Sequence, residues 1–301
     1  MTGPLKVHEF MVLTAGGIPL FHYSLDETRK LDGLLSGFLS AISSFAAEFG
    51  ERSVQSLSFE GSEILYQTEV DVLFIFLVGS GAPKRVLRAV LRDLSRRFLM
   101  TYQQEMKAEI PVEDSFKGFM QEVKRSFAFY EGVLAVTSSL SSFVVPKLNQ
   151  DAFDTASKSL GLLDEFHRDF GSGGNKILEA MDGKSSIHSM SQMLGLETEQ
   201  IAEVVEYLVI WGVVRISKMC PVIQETNTRF DIYLDLVGLP KRDNQILNRA
   251  RPLCNGERSV VEISEKIGVT AEKLHDVFTK LGNAVSWNLV EVTALGHGSI
   301  P

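Results

Sequence analysis

The N-terminal part of the chain is built around one uninterrupted apolar run. Val70–Val78 is β-branched and aromatic, is too short to span a bilayer, and ends at a Gly-Ser-Gly turn. From Val72 onward both alternating sets of positions are apolar, whereas a strand with one wet face would alternate apolar and polar residues. The pattern therefore predicts a central strand that is covered on both faces.

Four more strands are predicted before this one. Val7–Thr14 and Ile18–Ser24 flank two glycines, which supply the positive φ angles of a tight hairpin. Pro19 suits an edge strand, because proline has no N–H to donate to a neighbouring strand. The remaining two strands are predicted at Ser53–Phe59 and Glu63–Thr68.

Three amphipathic helices accompany the strands. Residues 31–49, 83–107 and 112–130 carry apolar side chains at helical spacing. The element order is therefore ββαβββαα. We expect a five-stranded antiparallel sheet with the 31–49 helix on one face and the other two helices on the opposite face.

The 31–49 helix has a second stripe, small and uncharged, where a solvated helix would carry Lys and Glu. Its members are Gly33, Ser36, Gly37, Ser40 and Ser44. One interpretation is tight packing within the domain, and the other is a contact surface for a second protein. Small side chains let another backbone approach closely, and the absence of charge lowers the cost of desolvation. This stripe is the predicted protein interface.

The 83–107 helix carries a basic ridge, which we define as Arg85, Arg88, Arg92 and Arg96, and Lys84 stands next to it after the Gly-Ser-Gly turn. A charged ridge is usually the solvated face of a helix. The alternative interpretation is a contact with an acidic partner or with a membrane surface.

Residues 132–150 form a Ser-rich connector in this interpretation, followed by a helix at 151–169 and a glycine linker at 171–174. The glycines do not form a phosphate-binding loop. Such a loop needs Gly, four residues and then Gly-Lys-Ser/Thr after a strand. Asp182-Gly183-Lys184-Ser185 has Leu178 in place of the first glycine, and we interpret it as a turn between helices.

The C-terminal half contains an internal repeat. The Asp-Gly-Lys turn at 182–184 and the Leu-Gly-Leu turn at 194–196 recur 73 residues later, as Gly183 and Gly256 show. Each copy predicts helix, helix, turn, helix and strand, which is the pattern of a winged helix. The predicted elements are 175–181, 186–194, 197–211 and 213–217 in the first copy, 243–254, 259–267, 270–281 and 285–292 in the second, with Phe230–Leu236 as a further wing strand of the first.

The charges on the third helix of each copy argue against DNA binding. In the first copy it holds four glutamates and no basic residue, and residues 175–217 contain three basic against six acidic residues. DNA phosphates would repel such a helix. The second copy is mixed in charge and has no Arg or Asn on that helix to contact bases. We expect protein contact and no nucleic-acid binding.

Composition and charge further restrict the class of protein and its cellular compartment. The chain has 45% hydrophobic and 23% charged residues and a net charge of −8, as in ordinary globular proteins. Two cysteines match neither a disulfide framework nor a zinc site, which favours a reducing compartment. No signal peptide or membrane span is predicted, so we expect a cytoplasmic protein. The six histidines are scattered without catalytic or metal-binding spacing, and His22 is interpreted as structural. No catalytic, cofactor or metal site is therefore predicted.

The N-terminal pattern resembles a longin domain over about residues 5–131. The opening His8–Phe21 stretch, a strand that turns at glycine and returns through Ile-Pro-Leu-Phe, looks like the first hairpin of longin subunits in Rab exchange complexes of the Mon–Ccz type. A longin followed by winged helices is similar to nitrogen-permease-regulator-like subunits of the complex that regulates Rag GTPases. This chain departs from the first group in having one longin domain.

The resemblance implies an α+β chain with a profilin-like longin domain (1–131), a helical connector (132–174) and two winged-helix-like domains (175–240 and 241–301). It implies partners among longin or roadblock proteins and small GTPases, with peripheral membrane contact, and pairing through the 31–49 helix and Ser53–Phe59. Lys84, Arg85, Arg88 and Arg92 are the residues expected at an acidic partner or GTPase. We expect no enzyme with a small-molecule substrate. The alternatives are a DNA-binding transcriptional regulator and a trafficking adaptor that leaves nucleotide state unchanged.

Overall fold

The computed structural model describes residues 3–24, 56–69, 71–107, 113–223, 234 and 237–293. The chain divides into two compact units. The N-terminal unit contains the described residues up to Ala135, and the C-terminal unit contains residues Val136–Thr293.

The N-terminal unit contains the predicted antiparallel sheet. Its strands are β1 (Val7–Thr14), β2 (Pro19–Ser24), β3 (Ser56–Phe59), β4 (Ser62–Glu69) and β5 (Val72–Gly79). They lie in the order β2-β1-β5-β4-β3, and every neighbouring pair is antiparallel. The continuously apolar strand is therefore central, as predicted.

The first hairpin forms at the two glycines. Gly17 has a φ of 81° and donates its N–H to the Thr14 carbonyl over 2.9 Å. Thr14 also accepts the Ile18 N–H on its hydroxyl, over 3.1 Å. β2 begins at Pro19 and forms one edge of the sheet, which confirms the edge position inferred from proline.

Two helices pack on one face of this sheet. They are α1 (Lys84–Thr101) and α2 (Phe119–Thr137). Phe98 of α1 contacts Phe74 with ring centroids 5.8 Å apart, and Phe127 of α2 contacts Phe76 at the same centroid distance. The placement of both helices on one face is therefore confirmed.

The predicted bounds of these helices were wrong. The helix predicted to reach residue 107 ends at Thr101, and the next begins at Phe119 and not near Val112. The described residues between them form two short 3-10 helices, Glu105–Lys107 and Glu113–Phe116, and Tyr102 and Phe116 join an aromatic cluster with Phe98. Their ring centroids lie 5.1–5.3 Å apart.

The opposite face of the sheet is also buried, as the central apolar run predicted. It holds a separate cluster of side chains, each at most 8% exposed: Met11, Leu13, Ile64, Tyr66, Leu73 and Ile75. The helix predicted for this face, residues 31–49, lies outside the described residues.

The C-terminal unit is mainly helical and has a second sheet, in the order β6-β7-β8. Its strands are β6 (Val144–Leu148), β7 (Val214–Val222) and β8 (Ser286–Glu291). Its helices are α3 (Gln150–Leu160), α4 (Leu162–Glu179), α5 (Ile187–Leu194), α6 (Thr198–Ile210), α7 (Lys241–Ala250), α8 (Val260–Ile267) and α9 (Ala271–Lys280).

The same three-helix arrangement occurs twice in this unit. Ser186 caps the N-terminus of α5, and Ser259, 73 residues later, caps α8 in the same way. Gly195 and Gly268 end these helices in the left-handed conformation, with φ angles of 63° and 67°. The internal repeat of the sequence is therefore an internal repeat of structure, with α4, α5 and α6 in one copy and α7, α8 and α9 in the other.

The two copies share strand β7. Its first part pairs with β6, through Val214 opposite Leu148, and its second part pairs with β8, through Val222 opposite Ser286. Val144 packs with the helices of the first copy, and the adjacent Val145 packs with those of the second. Since successive side chains of a strand point to opposite faces, each copy covers one face of the same sheet.

Three predictions for this region were wrong. β6 lies in the stretch interpreted as a connector, and the helix predicted at 151–169 is two helices separated at Gly161, whose φ is 71°. The glycine linker at 171–174 is part of α4, which is kinked at Gly171. Gly174 is needed inside that helix, because a Cβ there would lie 2.6 Å from the Phe170 Cβ. The wing strand predicted at Phe230–Leu236 falls outside the described residues except for Leu234.

Candidate interaction surfaces

Strand β3 forms the outer edge of the N-terminal sheet. It pairs with β4 from Ser56 opposite Leu65 to Phe59 opposite Ser62, and no strand among the described residues pairs with its other side. Leu57 is half-buried against the second-face cluster, and Phe59, two residues further on the same face, is 50% exposed. An exposed aromatic residue therefore lies on a strand edge that is unpaired among the described residues.

The small-residue stripe of the 31–49 helix lies outside the described residues. On the sheet face predicted to carry that helix, the structure shows the buried cluster and a hydrogen-bonded pair that the sequence did not predict. Glu9 is fully buried, and its Oε2 lies 3.1 Å from Nε2 of His22. The sequence interpretation of His22 as structural missed this acidic partner, because the strand pattern treated Glu9 as one polar residue among apolar neighbours.

The structure places the basic ridge on α1. Lys84 is the first residue of this helix and binds Glu63 of β4, with 2.8 Å between Nζ and Oε2. Arg85 and Arg88 are exposed, whereas Arg92 is half-buried. The four residues predicted as a contact site thus share one helix, and Arg85 and Arg88 present most of its accessible positive charge.

The two ends of α1 differ in electrostatic character. Its first turn has no acidic residue, so the positive end of the helix dipole adds to the charge of Arg85 and Arg88. Further along, Asp93 pairs with Arg97 over 3.0 Å and accepts a hydrogen bond from Ser126 over 3.1 Å. Burial and the nearby Asp93 carboxylate raise the pKa of Tyr130. The acidic residue of α1 therefore lies in its C-terminal half, away from Arg85 and Arg88.

In the C-terminal unit, the third helix of each copy, α6 or α9, carries charges that do not favour contact with DNA phosphates. Glu199 and Glu203 are exposed on α6. On α9 both lysines bind one carboxylate, that of Asp243 on α7. Lys273 Nζ lies 2.9 Å from its Oδ1, and Lys280 donates to its Oδ2. These ion pairs lower the pKa of Asp243, and the one with Lys280 has the larger effect. Asp243 is 2% exposed.

The described residues of this unit include buried thiols and a pair of histidines, which are side chains that could react. Burial raises the pKa of the Cys254 thiol to about 12, and this thiol donates to the Ala250 carbonyl over 3.2 Å. Such a thiol is not an activated nucleophile. His188 and His275, far apart in sequence, come together with ring centroids 5.6 Å apart beside Phe143. Burial and the charge of His188 lower the pKa of His275.

Within the described part of the chain, no group of three or more His, Cys, Asp or Glu side chains is arranged to hold a metal ion. None of the helices described is long and apolar enough to cross a membrane.

No family model matches the chain, and no curated protein matches it. Among solved structures, it is similar to a Roadblock/LC7 domain from Streptomyces avermitilis, with 19% identity over 33% of this chain and 94% of that chain. The TM-score is 0.27, so the likeness carries no argument about function. The described residues themselves define the class: a mixed α+β chain whose N-terminal unit is a five-stranded antiparallel sheet with helices on one face.

Proposed function

We propose that the chain is a non-enzymatic protein-interaction subunit of a small-GTPase regulatory or membrane-traffic complex. Its N-terminal unit acts as a longin-like domain that pairs with another longin or roadblock protein, or with a second copy of itself. The open β3 edge carries this proposal. The two helical copies of the C-terminal unit act as winged-helix-like modules for protein contact, on the cytoplasmic side of membranes.

The edge strand β3 has the properties of a pairing edge. An unpaired edge offers a row of N–H and C=O groups to another strand, and natural proteins block such edges with Lys, Pro or bulges. β3 reads Ser-Leu-Ser-Phe and contains none of these residues. The opposite edge, β2, begins with Pro19. Sheet extension through β3 would cover Phe59 as well as the strand edge.

Pairing through β3 can be tested by a substitution that introduces a charged side chain on this strand. We expect Phe59→Lys to abolish self-association or to raise the Kd for a longin or roadblock partner at least about tenfold, at unchanged Tm, because half of the Phe59 side chain is already in water. Light scattering after size exclusion and titration with candidate subunits measure this. Ile18→Lys is the matched control, since Ile18 is 55% exposed beside the opposite edge. Equal assembly by wild type and Phe59→Lys would refute pairing through β3.

If the chain regulates a GTPase, the basic ridge is the surface that contacts acidic residues of the GTPase. Arg85 and Arg88 support this assignment, because they are exposed at the positive end of α1. Rates of nucleotide exchange and hydrolysis, measured with the assembled complex, separate a regulator from a structural adaptor. A complex that binds the GTPase and changes neither rate is an adaptor.

A further inference from the structure

Helices α4 and α6 of the first copy form a surface that combines aromatic rings with carboxylates. We call it the aromatic–acidic surface and define it as Glu165, Phe170, Glu203, Glu206, Tyr207 and Trp211. The three aromatic side chains are partly exposed although they belong to the rim of the core, and Glu203 is exposed. Glu203 and Tyr207 of α6 and its C-cap residue Trp211 follow one another at intervals of four residues and therefore share one face.

Contacts between the two helices hold this surface together. The rings of Phe170 and Tyr207 lie edge to face with centroids 5.1 Å apart, and Trp211 lies 6.3 Å from Tyr207. The Tyr207 hydroxyl donates to Oε2 of Glu165 over 3.4 Å. The aromatic groups are thus fixed in position before any partner arrives, which lowers the entropy cost of binding.

The second copy shows that the fold does not require these aromatic residues. At the same 73-residue offset that relates the helix caps Ser186 and Ser259, Phe170 corresponds to Asp243 and Tyr207 to Lys280, and these two form an ion pair. Trp211 corresponds to Ala284. The corresponding helix–helix contact of the second copy is therefore made with charged and small side chains.

We propose that the aromatic–acidic surface binds a basic amphipathic segment of a partner protein. Tyr and Trp are the side chains most enriched at the energetic centres of protein interfaces, and a surrounding rim of charge selects partners of opposite sign. Glu165, Glu203 and Glu206 provide this rim, and the neighbouring cation Arg168 pairs with Asp169 over 3.1 Å. The excess of carboxylates favours an Arg- or Lys-rich segment and disfavours nucleic acid and anionic lipid.

Trp211 itself can report the binding. The chain has two tryptophans, and Trp287→Phe leaves Trp211 as the fluorophore while keeping an aromatic ring against Phe278. The probe is a helical peptide of about 18 residues with Leu on one face and Arg on the other. We expect a blue shift of the Trp211 emission on binding, and a Kd that rises at least about tenfold between about 50 mM and 500 mM salt.

Charge reversal on α6 tests the location. Glu203→Lys with Glu206→Lys is expected to raise the Kd for the peptide at least about tenfold. The control is Glu272→Lys with Asp276→Lys on α9, which changes the net charge equally on the exposed face of the second copy and should leave the Kd unchanged. Equal weakening by both pairs, or equal binding of a peptide with Ser in place of Leu, would show general charge attraction and overturn the proposal. An unchanged Trp211 emission on binding would overturn it as well.

Discussion

Gly256 and Gly268 serve the second helical copy in different ways, although both have a positive φ angle, of 83° and 67°. Gly268 ends α8 in open surroundings, where an added Cβ would have nothing within 4 Å. Gly256 lies against β7, and a Cβ there would be 2.7 Å from Cγ2 of Val222. Its carbonyl also accepts a hydrogen bond from Asn288 over 2.8 Å. One position therefore needs glycine for its backbone conformation and the other also for space.

We expect Gly268→Ala to lower the free energy of unfolding by about 1 kcal/mol, the cost of a left-handed conformation for an L-residue. Gly256→Ala should cost at least about twice as much, because Val222 is β-branched and cannot turn its methyl group away freely. Urea unfolding of the two variants, followed by circular dichroism, compares them directly. Equal losses would mean that β7 moves to accommodate the methyl group.

At the scale of elements, the sequence correctly predicted those strands and helices whose residues form a local pattern. The strand bounds of the N-terminal sheet are within about two residues where the structure describes them, because alternation and glycine turns are local signals. β6 was missed because Val144–Leu148 is short and follows a Ser-rich stretch, and its partner strand β7 lies some 70 residues later. The kink at Gly171 was mistaken for a linker, since glycine alone does not reveal that Gly174 packs on Phe166 and Phe170.

The candidate surfaces also differ in whether local sequence pattern could predict them. The basic ridge follows from helical spacing and is found on α1 as predicted. The aromatic–acidic surface joins Phe170 of α4 to Tyr207 of α6, and the sequence contains no signal for that contact. A comparison of the two repeat copies position by position would have been the available clue, because aromatic residues occur in one copy where charged residues occur in the other.

The contact between α7 and α9 depends on the buried Asp243, which both Lys273 and Lys280 bind. We expect Asp243→Asn to lower the free energy of unfolding by about 1–3 kcal/mol, because the hydrogen bonds to a charged acceptor are lost. The folded-state pKa of Asp243 is lowered, so its stabilising contribution is present above the ordinary value near 4 and is lost as the pH falls through the lower folded value.

Denaturant unfolding of wild type and Asp243→Asn at neutral and acidic pH measures this contribution. The difference between the two proteins should be largest near neutral pH and should shrink below about pH 4. Asp276→Asn is the control, because Asp276 is exposed on the same helix, α9. A difference that does not change with pH would show that charge at Asp243 is not what stabilises the contact.

At the scale of the whole molecule, the proposed contact surface of the N-terminal unit is basic and that of the C-terminal unit is acidic. The N-terminal unit exposes Arg85 and Arg88 on α1, whereas the C-terminal unit exposes Glu199 and Glu203 on α6. The net charge of −8 means that the basic ridge is a local exception on an acidic chain. Partners of the two units should therefore differ in chemistry, and each contact should weaken with salt independently of the other.

The same charges decide between protein contact and DNA binding. A DNA-binding repeat would need cations on its third helix to neutralise phosphates, and log Kd would then rise steeply with log salt. α6 has none, and the two lysines of α9 are held by Asp243. We therefore expect no salt-dependent shift of duplex DNA by the full chain at near-physiological ionic strength. Sub-micromolar binding that weakens with salt would support the DNA-binding regulator, and its loss in Lys273→Ala would locate it on α9.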